Sequence, residues 1–517
     1  MTPVEHDLEQ PRGELHSDPA PVRHVRVAVI GAGFAGIGLA WNLGQAGISD
    51  FLILERAQSV GGVWRDNTYP GAACDVPSHL YSLSFAPNPN WERTFSHGAP
   101  IREYLERVAH EHGIVPFIRF GEELLDARWE DDAQRWRLVS TTLELTADVL
   151  VSCAGPLTEP VFPDVPGLER FTGKVFHSSR WDHEHDLTGR RVAVVGSGAS
   201  AVQIAPAIQP LVDELVVFQR TPGWVIPRLD RDVTSFERRM LRRFPRLIRV
   251  LRGFQLAVRD GFHHRAIARR PIARRVAGAV ARRHLRRQVS DLRLRRELTP
   301  DFEIGCKRIL ISNDWYPALA APNTTLVPSA VSEVGESSVT DAAGRTREVD
   351  AIVFATGFEV AGAPVYARIH GHGGGSLADA WQGDPRFMRG VAISGFPNFF
   401  MLSGPGAGLG HGSMVWQMEA QMTYVLDALR VMRERDLTSV DVRPEVQDAY
   451  MASVDARLGE MVWVKGGCQS WYLDTSGVPR ALWPGTMREF KRMLERFDVE
   501  SYAVREAAAP ARAVVAS

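Results

Sequence analysis

The chain alternates short apolar runs closed by glycine with longer stretches of helical spacing. Residues 25–30 (VRVAVI) form a β-branched run ending in Gly-Ala-Gly, and residues 191–195 (RVAVV) a second one ending in Gly-Ser-Gly. Each is followed by a helix-like stretch and another apolar run, 51–54 and 214–218. Strand, glycine turn, helix and strand, twice over, predict two βαβ units and therefore parallel sheets covered by helices. Residues 127–150 alternate between polar and apolar and predict an antiparallel meander ending in a buried strand at 149–153. From 229 to 303 the spacing is helical, broken at Pro245 and Pro271, which reads as a helical insertion rather than a third sheet. Strand signals return at 308–311, 325–327 and 349–354, and 413–435 reads as one long helix.

The predicted fold class is α/β with two dinucleotide-binding, Rossmann-like domains, the second inserted in the first. The first covers 23–156 and 355–517, the second 157–228 and 305–354, and the helical insertion 229–304. Residues 1–22, polar and proline-containing, and the last dozen residues read as loose tails.

Composition narrows the class. In 517 residues, 45% are apolar and 23% charged, which excludes a collagen-like or largely disordered chain. No apolar run reaches the ~18 residues of a spanning helix, and the polar N-terminus lacks the apolar core of a signal peptide. Four scattered cysteines (Cys74, Cys153, Cys306, Cys468) without a CxxC exclude a zinc-finger set and a dithiol redox enzyme, and fit a reducing cytoplasm. The formal net charge is −1, which speaks against a nucleic-acid partner, but it hides an asymmetry. Residues 231–300 hold 21 Arg, no Lys and five acids, a local charge of +16 against −17 elsewhere.

Chemistry enters at the glycine turns. Gly31-Ala32-Gly33-Phe34-Ala35-Gly36 is a GxGxxG directly after a strand, and Glu55 stands at the end of the next strand. Such glycines let the backbone approach a pyrophosphate at a helix N-terminus, and the carboxylate accepts ribose hydroxyls. The second unit reads Gly196-Ser197-Gly198-Ala199-Ser200-Ala201. Glu55 lies 24 positions after Gly31, and Arg220 lies 24 after Gly196. Equal spacing places an acid at the first strand tip and an arginine at the second. A carboxylate would repel a 2′-phosphate that a guanidinium can pair. The second site is therefore expected to take NADPH, and the first an adenosine with free hydroxyls, FAD or NAD. An FAD site with an inserted NADPH site implies hydride transfer, as in flavin disulfide reductases or flavin monooxygenases. With no redox-active cysteine pair expected near the flavin, monooxygenases remain.

Two longer strings carry a resemblance. Phe171-Thr-Gly173-Lys-Val-Phe-His177-Ser-Ser-Arg-Trp181-Asp182 fits FxGxxxHxxxW(P/D), and Gly61-Gly62-Val63-Trp64-Arg-Asp-Asn-Thr-Tyr69-Pro70-Gly71-Ala-Ala-Cys-Asp75 fits (A/G)GxWxxxx(F/Y)P(G/M)xxxD. In both the chain resembles the type I Baeyer–Villiger monooxygenases, from about residue 25 to 502. The resemblance implies FAD and NADPH as cofactors, with O₂ and a ketone as substrates. It implies one oxygen atom inserted beside the carbonyl to give an ester or lactone, through a C4a-peroxyflavin whose anion attacks the ketone. It further implies that Arg308, of the pair Lys307-Arg308, stabilises the peroxide and the adduct, and that Asp75 lies by the flavin and orients Arg308. Lys307 would join Arg220 and Thr221 around the 2′-phosphate. Gly62, Val63, Trp64 and Tyr81 would border the flavin, Trp64 packing rather than reacting. Trp471, in Ser470-Trp471-Tyr472, would contact the nicotinamide cofactor. Ala355-Thr-Gly357 and Gly404-Pro405-Gly406 resemble the family's returns to the flavin domain.

After Tyr472 the sequence departs from the best-known ketone oxidisers, which leaves the substrate range open. His177, in the segment linking the two domains, reads as a packing or conformational residue despite its titration near neutral pH. The alternatives are an N- or S-oxygenating flavin monooxygenase and an NADPH oxidase without organic substrate. A non-catalytic nucleotide-binding or membrane-peripheral protein is disfavoured by the two cofactor sites and Arg308. The arginine-rich insertion reads as solvated helix surface in an arginine-biased composition, or as a positive field steering NADPH. Arg220 and Arg308 bracket that run, and no member of it is expected in the site.

Overall fold

The computed structural model describes residues 22–360, 362–468, 470 and 472–507. Both expected tails lie almost wholly outside these. The first sheet has eight strands. Arg23–Ile30 runs parallel to Phe51–Glu55 on one side and to Glu144–Ser152 on the other, and Phe51–Glu55 pairs with Ile118–Phe120. The expected meander is Leu124–Glu130, Arg135–Ser140 and Glu144–Ser152, antiparallel throughout. Ile369–His370 and Phe399–Met401 return late in the chain to join this sheet in parallel.

The second sheet has five parallel strands in the order Thr324–Val327, Glu214–Phe218, Arg191–Val195, Ala351–Phe354 and Lys174–His177. Its strands read as near-continuous Val/Ile/Phe runs because both faces are covered. A three-stranded antiparallel sheet, from Val331–Val334 to Thr346–Glu348, lies beyond Thr324–Val327 in the chain and went unmarked in the apolar pattern.

The insertion is helical, as its spacing predicts, and its prolines open helices rather than merely ending them. Pro245 caps Arg246–Val258 and Pro271 is the first residue of Pro271–Gln288. A proline is tolerated there because the first helical amides lack intrahelical acceptors. The expected long helix is Met414–Glu434, packed against Phe34–Gln45.

The two glycine turns are built alike. Gly31 has φ +101° and a Cβ there would lie 2.9 Å from the Cys153 carbonyl oxygen; Gly196 has φ +125° and would meet that of Ala355 at 2.4 Å. In each, the carbonyl following the neighbouring parallel strand closes over the turn, so a side chain is excluded by both φ and space. Gly196→Ala is therefore expected to cost about 1–3 kcal/mol and to raise the NADPH KM while FAD stays bound. Thermal unfolding and flavin content check it, and an unchanged KM would count against a tight turn at the second cradle.

Candidate active site

The first cradle is assembled before any ligand arrives. Gly33 caps Phe34–Gln45 without a side-chain acceptor, so the first amides of that helix remain open. Gly31, Gly33, Phe34 and Ala35 line a cavity that Glu55, Gly62 and Val63 also border. Gly36 packs instead, because a Cβ there would strike the Gly31 carbonyl. Glu55 is only 4% exposed. It accepts the Ala32 and Ala57 amides at 2.8 and 3.0 Å and Arg65 Nη1 at 2.9 Å. A carboxylate offers about four lone-pair sites, so one remains for a ligand hydroxyl. Trp64 Nε1 donates to the Tyr81 hydroxyl at 3.2 Å, and the Tyr81 ring meets Phe34 edge-on. Burial pushes the Tyr81 phenol far up, so it stays neutral on the cavity wall.

Arg308 lies on the same wall. Its Nε and Nη2 donate to Asp75 Oδ2 at 2.9 and 2.6 Å. Its 42% side-chain exposure is exposure to the cavity, since protein encloses the group on the larger scale. Burial would raise the Asp75 carboxyl, but the Arg308 guanidinium and then that of Arg259 hold it below the usual range. Arg308 is raised in turn, chiefly by Asp75.

Arg259 corrects the sequence reading. It belongs to the arginine run yet reaches the pair, donating to the carbonyls of Asp75 and His411 at 3.4 and 3.3 Å. It opens a π-helical turn, Arg259–His263, that follows directly on Arg246–Val258. Its signal in the sequence was the helical phase relative to Arg252. That residue, two turns earlier, is buried where Arg259 is half-buried, and it bonds the His79 and Ser82 carbonyls and Glu419.

The second cradle needs another correction. Ile30 pairs with Leu54 but Val195 pairs with Phe218, so the register differs by one. The residue structurally equivalent to Glu55 is Gln219, which is buried and donates to the Glu297 carbonyl. Arg220 stands one position farther and is exposed, as side-chain alternation requires. Equal spacing therefore did not mean equal position. What favours an anion at Arg220 is its neighbour: Lys307 is held below its usual range by burial and by the charge of Arg220. Neither cation has an ion-pair partner among the described residues. Ser197 Oγ donates to the Thr221 carbonyl at 3.0 Å, fixing the turn against the strand end. Gly198 and Ala199 are exposed, and the helix Ala201–Ile208 begins at Ser200 without a side-chain cap.

The two long strings sit at seams. The Tyr69 hydroxyl donates to Gln203 Oε1, and Gln203 Nε2 donates to the Ala73 carbonyl. A Cβ on Gly71 would strike the Gln203 carbonyl at 2.6 Å. Tyr69 and Gly71 thus dock the first nucleotide unit onto a helix of the second. His177 is buried beside Phe162 and Phe358, with Nδ1 on Ser179. Burial lowers it to about 4, so it is a neutral packing residue near pH 7.

The cysteine reading is corrected in one part. Cys306 and Cys468 form a disulfide across 162 residues, a pairing that local spacing could not reveal. It ties the approach to Arg308 to the segment before Tyr472. Neither cysteine lines the cavity, so the bond does not restore the disulfide-reductase chemistry. It does remove the cysteine argument for a reducing compartment. Trp471 lies outside the described residues. Asp474, where the sequence departs from the ketone oxidisers, caps its own loop and pairs with Arg480 at 3.0 Å.

Two open helix N-termini after glycine turns, with an arginine–aspartate pair on the wall of the cavity at the first, fit a flavoprotein oxidoreductase that handles two dinucleotides. Comparison with known proteins agrees. The model of the flavin-binding monooxygenase-like family matches residues 24–366, and the chain belongs to that family. A Baeyer-Villiger monooxygenase of Streptomyces coelicolor is 49% identical over 482 residues, 93% of each chain. Another, of Pseudomonas aeruginosa, is 44% identical over 486 residues, 94% of this chain and 92% of that one. An oxidized steroid monooxygenase bound to NADP superposes with a TM-score of 0.81 at 28% identity, over 94% of this chain and all of the other. Cyclohexanone monooxygenase from Rhodococcus sp. Phi1 bound to NADP+ superposes at 0.82 and 25% identity, with the same coverage.

Because Arg259 helps hold Asp75 ionised, Arg259→Met should raise the Asp75 pKa. The acid limb of the pH–rate profile is then expected to move to higher pH while flavin content is unchanged. A profile that only scales down would assign Arg259 a packing role.

Proposed function

We propose that this protein is an FAD- and NADPH-dependent Baeyer–Villiger monooxygenase. One atom of O₂ enters beside a ketone carbonyl to give an ester or lactone. The other leaves as water, with two electrons from NADPH and one added proton. The observation that carries the reading is Arg308, clamped by Asp75 on the wall of the cavity that the first cradle opens into. Bound FAD, reduced by NADPH, supplies the activated oxygen.

The chain's own part is electrostatic. Asp75 occupies the Nε–Nη2 edge of Arg308 and fixes its plane, leaving the remaining N–H groups for an anionic oxygen. Its raised pKa keeps Arg308 charged throughout, so it stabilises charge and moves no proton. Tyr81, Leu409, Met414 and Tyr472 give the cavity wall an apolar character that limits water.

We assign the FAD domain to 23–156 and 355–517 and the NADPH domain to 157–228 and 305–354. In the first cradle Gly31, Gly33, Phe34, Ala35 and Gly36 would form the turn under the pyrophosphate, with Glu55 on the ribose. Gly62, Val63, Trp64, Asp75 and Tyr81 would border the flavin. In the second, Gly196–Ala201 would take the pyrophosphate of NADPH, and Arg220, Thr221 and Lys307 its 2′-phosphate. Trp471 is expected at the nicotinamide. No helix among the described residues is long and apolar enough to cross a membrane. NADPH dependence supports a cytoplasmic site of action, where Cys306–Cys468 would face reducing thiols.

Arg308→Ala is expected to leave FAD bound and reducible by NADPH while ester or lactone formation from a ketone panel falls by at least a hundredfold. Sulfide oxidation assayed in parallel separates a heteroatom oxygenase, and retained ester formation would remove Arg308 from its role. Arg220→Ala is expected to raise the KM for NADPH tenfold or more, as loss of a charge-assisted phosphate contact implies. The KM for NADH should hardly move, and equal changes for both would reject the 2′-phosphate assignment.

A further inference from the structure

Most large apolar side chains of the insertion should be buried against the two sheets, yet one face is turned outward. On the helix Arg246–Val258, Ile248, Arg252 and Leu256 form the inner face and are buried. Leu247, Val250, Phe254 and Val258, at i, i+3, i+7 and i+11, form the outer one. Val250 is 69% exposed and Phe254 67%, and Phe236 on the preceding helix is 67% exposed. Phe244 between the helices and Phe262 beyond them are exposed as well. Monomers rarely leave so contiguous a set of large side chains in water.

The charge around this ridge is of one sign. Between Glu237 and Asp260 the chain carries eight arginines and no acid. Arg239, Arg242, Arg243, Arg246 and Arg249 are exposed. Arg252 and Arg259 instead turn inward, to Glu419 and to the Asp75 carbonyl. An apolar stripe flanked by cationic side chains is what an amphipathic helix needs to lie in the plane of an anionic bilayer.

From this we infer that the outer face of residues 235–263 seats the enzyme on anionic phospholipid membranes. The ridge would enter the acyl boundary while the arginines contact the headgroup phosphates. Charge complementarity selects this occupant. A second copy of the chain would bring two arginine-rich faces together, which like-charge repulsion opposes. A nucleic acid would satisfy the arginines but leave Val250 and Phe254 in water. The −17 carried outside residues 231–300 reinforces the choice, because repulsion from an anionic surface would orient the molecule with this face downward. The inference is independent of the oxygenation chemistry.

The full-length, FAD-loaded enzyme should co-sediment with vesicles of phosphatidylcholine and phosphatidylglycerol at low salt. It should not do so with phosphatidylcholine alone, and 0.5 M salt should release it. Each arginine near such a surface is worth about fivefold in partitioning. The triple variant Arg242→Gln, Arg243→Gln, Arg246→Gln is therefore expected to bind about a hundredfold more weakly. The double variant Val250→Ser, Phe254→Ser should bind at least tenfold more weakly, with NADPH oxidation on a soluble ketone unchanged in both. Absence of binding by the unmodified enzyme at low salt would overturn the inference. So would binding to duplex DNA in place of vesicles, or equal vesicle binding by the double variant. A dimer in size-exclusion chromatography that the double variant converts to monomer would overturn it in favour of self-association.

Discussion

The ion pair of Asp75 and Arg308 is the constraint around which the remaining architecture is organised. Its partners lie 233 residues apart and belong to different parts of the fold. Asp75 ends the loop that follows the first cradle. Arg308 follows the whole helical insertion, just before the short strand Leu310–Ile311, which pairs with Val225–Ile226. Holding two charges away from bulk water is favourable only when their geometry is fixed from both sides. Several features fix it here. Arg259 binds the Asp75 carbonyl, Cys74 is buried just before Asp75, and the disulfide anchors Cys306 two residues before Arg308.

Around that pair the two nucleotide units are locked by contacts that explain the long sequence strings. Gly71 is required because the helix Ala201–Ile208 approaches too closely for a side chain, while Tyr69 supplies the donor and the Ala73 carbonyl the acceptor that the Gln203 amide takes from the opposite side. Gly173 is required because a Cβ would strike the Asp350 carbonyl at 2.4 Å. His177 fills the crossing between Phe162 and Phe358, where the chain leaves the second sheet for the Gly357 turn. These strings mark seams as much as chemistry. A string of this kind can therefore be diagnostic of the enzyme class even though most of its residues never touch a reacting atom.

The strands of the two glycine-turn units, both glycine turns, the meander and the helical insertion were legible because each is encoded locally, by a period of two or 3.6 or by a glycine that a turn demands. The Asp75–Arg308 pairing was reachable through resemblance alone, since no local pattern joins residues so far apart. Three features around the site escaped, each for a physical reason. The one-residue register difference that puts Gln219 rather than Arg220 at the position equivalent to Glu55 lies in the strand pairing, which equal spacing along the chain does not report. The Cys306–Cys468 bond depends on long-range folding. Arg259 was hidden among 21 arginines of the same segment, where composition drowns position and only the helical phase shared with Arg252 points inward.

The site also holds more positive charge than its single carboxylate can neutralise. Arg308 and Arg259 both act on Asp75, and among the described residues Arg259 finds only carbonyl oxygens. Burial lowers the pKa of Arg259 although the Asp75 charge opposes it, from a value so high that it stays charged. The histidines nearby do not add to the surplus. Burial and the charges of Arg252 and Arg259 bring His79 and His263 down to about 4, and His264 is lowered as well. Near neutral pH Arg308 and Arg259 therefore face Asp75 as two cations, with the imidazoles of His79 and His263 neutral beside them. In the proposed reaction, negative charge developing beside these two cations would be stabilised by them.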